Sequence, residues 1–178
     1  KTPTAEKCKE RGNAHFQKKK FWLASEEYTK ALELVAEHWS TAGSPPGTGV
    51  QMANRSHESR IKYLPLKIAC LANRAQCRLD ISQLDGAICD CDEAQADVAD
   101  LRRRNPTGET PRALQTKIRY RKAWALHLQG RREDAMNVLA SARREGLTND
   151  ECEELALNLA GAHCTIELME AGKYFGVV

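Results

Sequence analysis

Apolar side chains recur at steps of three and four residues along much of the chain, which is the period of an amphipathic helix. Near the C-terminus Gly146 is typical of a helix stop, and Thr148 and Glu151 have the spacing of a capping box that opens a new helix. The apolar stripe of that helix contains Cys152, Leu155, Leu159, Ala162, Ile166 and Met169. These signals predict an all-α protein whose last helix covers about residues 150–172.

Small residues form a register that repeats three times along the chain. In its first copy, Gly12, Ala24 and Ala31 are separated by twelve and seven residues. The same two spacings return in the other copies, which are Ala75, Ala87 and Ala94, then Ala123, Ala135 and Ala142. Small side chains at fixed positions allow two paired helices to approach closely. The register therefore predicts three helix pairs, at about 5–38, 68–101 and 116–149.

Residues 39–67 and 102–115 are inserted between the predicted pairs. Residues 43–49 are rich in glycine and proline, so we expect a loop in the first insert. The end of this insert is compatible with a longer next helix, in which Pro65 marks either the first turn or a kink. The second insert is predicted to be a loop that ends at Pro111, where a helix starts. Both inserts join helix pairs rather than interrupt one, and we expect a single domain.

The first copy of the register resembles the tetratricopeptide repeat (TPR) family, whose unit is an antiparallel helix pair of roughly 34 residues. Residues 5–16 and 21–34 carry the resemblance, with Ala24, Tyr28 and Ala31 at family positions in the second stretch. The resemblance implies three helix-turn-helix units and a C-terminal capping helix. It also implies that they form a right-handed superhelical α-solenoid with a concave peptide groove.

Composition narrows the classes of partner. The chain has 178 residues, of which 42% are hydrophobic and 29% charged, with a formal net charge of +3. No apolar run approaches a membrane span, and the basic runs 102–104 and 143–144 lack the interleaved aromatic residues of a nucleic-acid site. We therefore expect neither a membrane nor a nucleic acid as partner. Because the chain begins with Lys1 and shows no secretory leader, we expect a part of a longer cytoplasmic protein.

The seven cysteines and five histidines do not predict metal binding or catalysis. An odd number of cysteines within helical segments argues against a disulfide framework. Cys89 and Cys91 are two residues apart and so point to different sides of a helix, which is unsuitable for zinc. We expect the cysteines to be small buried thiols. The histidines are scattered, and the sequence has no phosphate-binding glycine loop, so we expect no enzymatic activity and no cofactor.

Five polar residues fall on the predicted first helices of the three pairs, the helices that line the concave side of a TPR stack. They are Lys9, Asn13, Asn73, Lys117 and Arg121. Lys9 and Asn13 are four residues apart, as are Lys117 and Arg121, so the members of each pair share a helix face. Three cations and two amides with no acid among them favour an anionic ligand, because all five side chains can donate hydrogen bonds to a carboxylate. Asparagine is also unfavourable within a helix, which indicates a functional reason for both.

These residues resemble the dicarboxylate clamp of TPR co-chaperones, which bind the C-terminal Glu-Glu-Val-Asp of the seventy- and ninety-kilodalton heat-shock chaperones. By this resemblance Lys9, Asn13 and Asn73 hold the terminal main-chain carboxylate. Lys117 and Arg121 take the last aspartate side chain and neighbouring acids, and both are expected to be exposed. The resemblance implies a co-chaperone adaptor that binds the acidic C-terminal peptide of a heat-shock chaperone.

Four further positions are predicted to shape the peptide groove. Phe16 lies three residues after the first clamp asparagine and Leu79 six residues after the second, and both could hold apolar ligand side chains. Gln76 occupies a place that is often small in clamp modules, which alters the apolar subsite. Asp80 is acidic at a position where a basic residue would attract a further acidic side chain of the ligand. This residue therefore favours the ninety-kilodalton chaperone as the partner.

Two alternatives stay open at this point. The chain could be a scaffold whose groove binds an internal or helical segment of another partner. It could also be the targeting tail of a larger enzyme, such as a TPR-bearing prolyl isomerase. Amidation of a bound peptide's C-terminus separates the first alternative from a clamp, and the full-length sequence settles the second.

Overall fold

The structure, a computed structural model, describes residues 3–41, 49–105 and 111–172, with side chains for 3–39, 58, 60–105 and 111–161. Regular structure in these ranges consists of seven α-helices, which confirms the all-α prediction. The helices are α1 (Ala5–Gln17), α2 (Phe21–Thr41), α3 (Gly49–Asp80), α4 (Leu84–Arg104), α5 (Arg112–Leu128), α6 (Arg132–Arg144) and α7 (Asp150–Gly172). Among the described helices, none combines the length and the apolar character needed to cross a bilayer.

Three turns of the same geometry join α1 to α2, α3 to α4 and α5 to α6. Each turn has three residues, and its middle residue has a positive φ, which is 55° at Lys19, 60° at Ser82 and 75° at Gly130. In each turn the amide of the next residue donates to the carbonyl five residues earlier, namely Lys20 to His15 (3.0 Å), Gln83 to Arg78 (2.7 Å) and Arg131 to Leu126 (2.9 Å). These bonds satisfy carbonyls that the helix end would leave unpaired. The turns therefore make three helix hairpins.

All nine small residues of the predicted register are buried. The eight alanines have a relative exposure of 0%, and Gly12 is among the buried residues of α1. Within each hairpin the first small residue lies on the odd-numbered helix and the other two on the even-numbered helix, where a larger side chain would separate the backbones. The prediction that these positions allow close helix approach is confirmed.

The core continues from one hairpin to the next. Tyr28 and Val35 of α2 pack in one cluster with Cys70 and Cys77 of α3. A second cluster joins α3 and α4 to Ile118 of α5, and a third joins α5 and α6 to the buried side of α7. Besides these sequential contacts, the backbone of α1 approaches α3, that of α3 approaches α5, and that of α5 approaches α7, whereas within the described residues the backbones of α2 and α4, and of α4 and α6, stay apart.

The first insert, residues 39–67, is mostly helical in the structure, and the expected lengthening of the next helix goes further than predicted. Helix α2 continues to Thr41 and α3 begins at Gly49, so Pro65 lies in the interior of α3 rather than in its first turn. An interior proline removes one backbone hydrogen bond and crowds the carbonyl four residues earlier, but buried Leu64 and Ile68 on either side of it anchor this part of the helix in the core. In the second insert, α4 runs on through Arg104. The loop predictions for 42–48 and 106–110 lie outside the described residues.

Helix α7 begins one residue later than the predicted capping box requires. Its N-cap is Asn149, whose Oδ1 accepts a 3.0 Å bond from the amide of Cys152, and not Thr148. Gly146 has a φ of 67° just after α6, which confirms it as a helix stop. Cys152, Leu155 and Leu159 are buried, as the apolar stripe predicts. The side chains of the rest of the stripe, Ala162, Ile166 and Met169, lie outside the described residues.

The cysteines follow the prediction of buried free thiols with one exception. Free and buried are Cys8, Cys70, Cys77, Cys91 and Cys152. Cys89 is exposed, because it lies on the solvent side of α4. The side chain of Cys164 lies outside the described residues. The part of the chain with described side chains contains no group of three His, Cys, Asp or Glu that could hold a metal.

Candidate functional site

A pocket of about 210 Å³ opens where the odd-numbered helices α1, α3 and α5 meet. It is lined by Asn13, Phe16, Gln17, Tyr28, Asn73, Gln76 and Arg121. Five of these seven are among the nine predicted site residues, and they come from parts of the sequence separated by up to about a hundred positions. The fold therefore brings the two asparagines and the arginine of the predicted clamp to one place.

The two asparagines are hydrogen-bonded to each other. Asn73 Nδ2 donates to Asn13 Oδ1 across 3.3 Å, and the Tyr28 hydroxyl donates to the same oxygen across 2.7 Å. An amide oxygen has two lone pairs, so Asn13 Oδ1 is fully used inside the protein. The NH₂ group of Asn13 remains as a donor beside the pocket, and the Asn73 amide also interacts with the Tyr28 hydroxyl.

Arg121 is not exposed as predicted but partly buried against α3. Its Nε donates to Gln76 Oε1 across 3.0 Å, and its Nη1 donates to the backbone carbonyl of Ala72 across 2.6 Å. Burial lowers the pKa of this guanidinium from its ordinary value. The side chain is still protonated near neutral pH, because an arginine pKa lies far above that range.

No carboxylate among the described residues pairs with Arg121. Two other partly buried cations are neutralised by acids, whereas Arg132 has buried guanidinium nitrogens without a hydrogen-bond partner among the described residues. Arg74 makes bonds of 3.0 and 2.7 Å to the two carboxylate oxygens of Asp90, and Lys67 lies 2.6 Å from Glu93 and 2.8 Å from Asp97. Arg121 has neutral oxygen acceptors instead, and it borders an open pocket.

Gln76 and Phe16 form the remaining predicted walls of the pocket. While Gln76 Oε1 accepts from Arg121, Gln76 Nε2 donates to Asp80 Oδ2 across 3.3 Å. Asp80 itself is exposed and does not line the pocket. The ring of Phe16, which also lines the pocket, packs edge-to-face on Phe21 with centroids 5.4 Å apart. Phe16 thus presents an apolar surface next to the polar donors.

The two predicted lysines flank the pocket without lining it. Lys9 lies one helical turn before Asn13 on α1, and Lys117 one turn before Arg121 on α5. Lys117 is exposed and Lys9 half-buried, and neither pairs with an acid among the described residues. Both charges are free to act on a ligand that extends beyond the pocket.

Leu79 does not belong to the groove. It is 8% exposed and packs in a core cluster with Ala87 and Ala125. Six residues correspond to a rotation of about 240° from Asn73 around the helix, so Leu79 faces away from the asparagine, toward α4. The prediction that it holds an apolar ligand side chain is wrong.

Two pocket residues were not predicted as site residues. Gln17 ends α1, and Tyr28 belongs to α2, the second helix of its hairpin. The sequence signal for Tyr28 was its place in the TPR pattern, sixteen residues after Gly12, which indicates packing and gives no sign that its hydroxyl reaches the site.

Comparison of the chain with models of known families and with curated proteins finds no match.

Proposed function

We propose that this chain is a TPR-type adaptor that holds the C-terminal carboxylate of an acidic partner peptide in the pocket around Asn13, Asn73 and Arg121. The observation that carries the proposal is the unpaired Arg121. Its guanidinium is partly buried, forms no ion pair with a carboxylate of the described residues and lies beside amide donors at an open pocket. The chain then acts by recruitment rather than by catalysis.

The cost of keeping Arg121 in this position supports an anionic ligand. Desolvating an ion costs on the order of several kcal/mol, and a neutral acceptor compensates for it less than a carboxylate does. The neighbouring clusters around Arg74 and Lys67 include the acids that offset this cost. A carboxylate from a partner would supply the missing charge at Arg121.

The donor set favours a chain terminus over an ordinary acidic side chain. Asn13 and Asn73 offer N–H groups without added charge. Arg121 offers the guanidinium N–H groups that are not bonded to Gln76 or Ala72. A terminal carboxylate at the two asparagines, with Lys9 beside it, leaves the last aspartate side chain to Arg121 and Lys117, and Phe16 is then available to an apolar side chain of the peptide. Five hydrogen-bond-donating residues from three helices can bind a peptide end that carries more than one carboxylate.

The hairpin geometry supports the TPR assignment. The three hairpins have turns of the same geometry. The backbones of their odd-numbered helices lie close to one another, while those of the even-numbered helices, as far as the structure describes them, do not. A stack built in this way bends toward the odd-numbered layer, where the pocket lies. We infer a curved stack whose inner surface binds the peptide.

The partner that fits best is the acidic C-terminal segment of a cytoplasmic heat-shock chaperone of the ninety- or seventy-kilodalton class. All five clamp positions carry the residue types of that family. Asp80 is exposed and hydrogen-bonded to Gln76, and its negative charge disfavours a further acidic side chain of the peptide at this place. The role of the protein is then that of a co-chaperone in the cytoplasm.

The test is calorimetric titration with a short peptide that ends in Glu-Glu-Val-Asp, compared with the same peptide amidated at its C-terminus. We expect a Kd on the order of micromolar, about 8 kcal/mol, since a flexible peptide must be ordered on binding. The amide should bind at least about tenfold more weakly. Equal affinity for both peptides would contradict the proposal and favour a scaffold for internal segments.

A further inference from the structure

Tyr28 reaches the pocket from the second layer of helices through a gap that Gly12 leaves. Its side chain is almost fully buried, with 1% exposed. A Cβ atom added at Gly12 would lie 2.7 Å from Cε1 of the Tyr28 ring, a distance that carbon atoms do not tolerate. The absent side chain at Gly12 therefore lets the ring lie directly against α1, with its hydroxyl beside Asn13.

The hydroxyl holds the Asn13 amide in one orientation. It donates to Asn13 Oδ1 across 2.7 Å, and Asn73 Nδ2 fills the second lone pair of that oxygen. Burial raises the pKa of Tyr28 to about 12, so the hydroxyl keeps its proton at neutral pH and remains a donor. With its oxygen held in this way, Asn13 turns its NH₂ group away from these partners.

We propose that Tyr28 is a positioning residue that orients the Asn13 amide for binding of a carboxylate. This inference rests on the proposed function. Without the hydroxyl, the amide of Asn13 can rotate by half a turn, which would bring its oxygen toward the negative charge of the ligand. Tyr28 thus acts on affinity and on the discrimination of acid from amide through Asn13.

The test is Tyr28→Phe, which keeps the ring and removes only the hydroxyl. We expect affinity for the peptide ending in Glu-Glu-Val-Asp to fall by about fivefold, as for the loss of one net hydrogen bond. Affinity for the amidated peptide should stay at the parent value. If Tyr28 acted only through packing, the substitution would reduce the affinity for both peptides equally. This result would overturn the inference. Tyr63→Phe on α3, whose ring stacks on His38, is the matched control and should change neither affinity.

A double-mutant cycle and one spectroscopic measurement complete the test. Tyr28→Phe should add nothing to the loss already caused by Asn13→Ala, because the hydroxyl acts through that amide. In the unliganded protein, Tyr28→Phe should shift the NMR signals of the Asn13 side-chain NH₂ while Tyr63→Phe leaves them in place. Additive losses or unmoved signals would overturn the inference even if the variant loses stability. A parent protein that binds acid and amide peptides equally would instead overturn the proposed function, and this inference with it.

Discussion

Arg121 of α5 donates from Nη1 to the backbone carbonyl of Ala72 on α3 across 2.6 Å. The bond joins two odd-numbered helices at the edge of the pocket, and the bond from Arg121 Nε to Gln76 adds a second link. The guanidinium is thereby held in place before a ligand arrives, so little of its side-chain entropy is lost on binding. The Asp80 carboxylate acts on this charge electrostatically, but it forms no ion pair with Arg121, since Gln76 is hydrogen-bonded to both side chains.

Replacement of Arg121 by Met should separate binding from stability. We expect Arg121→Met to reduce the affinity for the acidic peptide by at least about tenfold, because a charged partner is lost. The free energy of unfolding should stay equal or rise by up to about 1 kcal/mol, because a desolvated cation without an acid is replaced by an apolar chain of similar length. Titration and urea unfolding measure the two effects.

Arg74→Met is the matched control for this substitution. It removes a buried arginine that does have a partner and leaves the Asp90 carboxylate with Arg78 as its ion pair. We expect a loss of about 3 kcal/mol in unfolding free energy. If Arg121→Met destabilises the protein as much as Arg74→Met does, Arg121 is a structural residue and the reasoning from its missing partner fails.

Ala87→Leu tests the close approach of α3 and α4. Ala87 is fully buried in a cluster with Leu79 and Ala125. The larger side chain should overpack the second hairpin and lower the free energy of unfolding by roughly 1–3 kcal/mol. Ala96→Leu, at an exposed position of the same helix, should leave thermal unfolding unchanged. Equal melting curves for the two variants would be incompatible with the packing described.

The shared turn geometry predicts two substitutions of opposite sign. Gly130 has a φ of 75° and no atom within 4 Å of an added Cβ, so Gly130→Ala should cost about 1 kcal/mol through backbone strain alone. Ser82 has the same role in the second turn with a φ of 60°, and Ser82→Gly should raise the unfolding free energy by a few tenths to about 1 kcal/mol. Chemical denaturation measures both changes. The same sign for both would show that the turns are not equivalent.

The positions of the helix contacts were predictable because they depend on residue size at fixed spacing. Ala24, Ala87 and Ala135 mark one such position in the three copies, and all are buried. The residue types of the site were predictable too, since Asn13, Asn73 and Arg121 stand out within helices. Their meeting at one pocket follows from the same spacing once the helices are paired.

What the sequence did not predict depends on contacts between distant side chains. The burial of Arg121 arises from Gln76 and Ala72 of another helix, and the hydroxyl of Tyr28 reaches the site from the second layer. The lengthening of the helix before Pro65 was expected, but not that α3 begins as early as Gly49. In each case a tertiary contact outweighs a local preference.

Thiol reactivity should follow burial. Burial raises the pKa of Cys70, Cys77 and Cys91 to about 12, so these thiols are protonated at about pH 8, whereas only the thiolate reacts. Cys89 is exposed and should be alkylated much faster by iodoacetamide in the folded protein. Peptide mapping by mass spectrometry gives the rate for each residue, and urea should remove the difference. Labelling of Cys77 or Cys91 as fast as Cys89 without urea would refute the burial assigned to them.

The most direct measurement of the central claim is the affinity of Asn73→Ala for the peptide ending in Glu-Glu-Val-Asp. The substitution changes no charge, so it cannot act through general electrostatics, but it removes an amide donor beside the pocket. We predict a loss of about tenfold with unchanged helicity. Arg103→Ala, which removes a cation whose side chain is 76% exposed, should bind the peptide like the parent. If Asn73→Ala binds like the parent while Arg103→Ala weakens binding as much as Arg121→Met, the attraction is diffuse and the pocket does not hold a carboxylate.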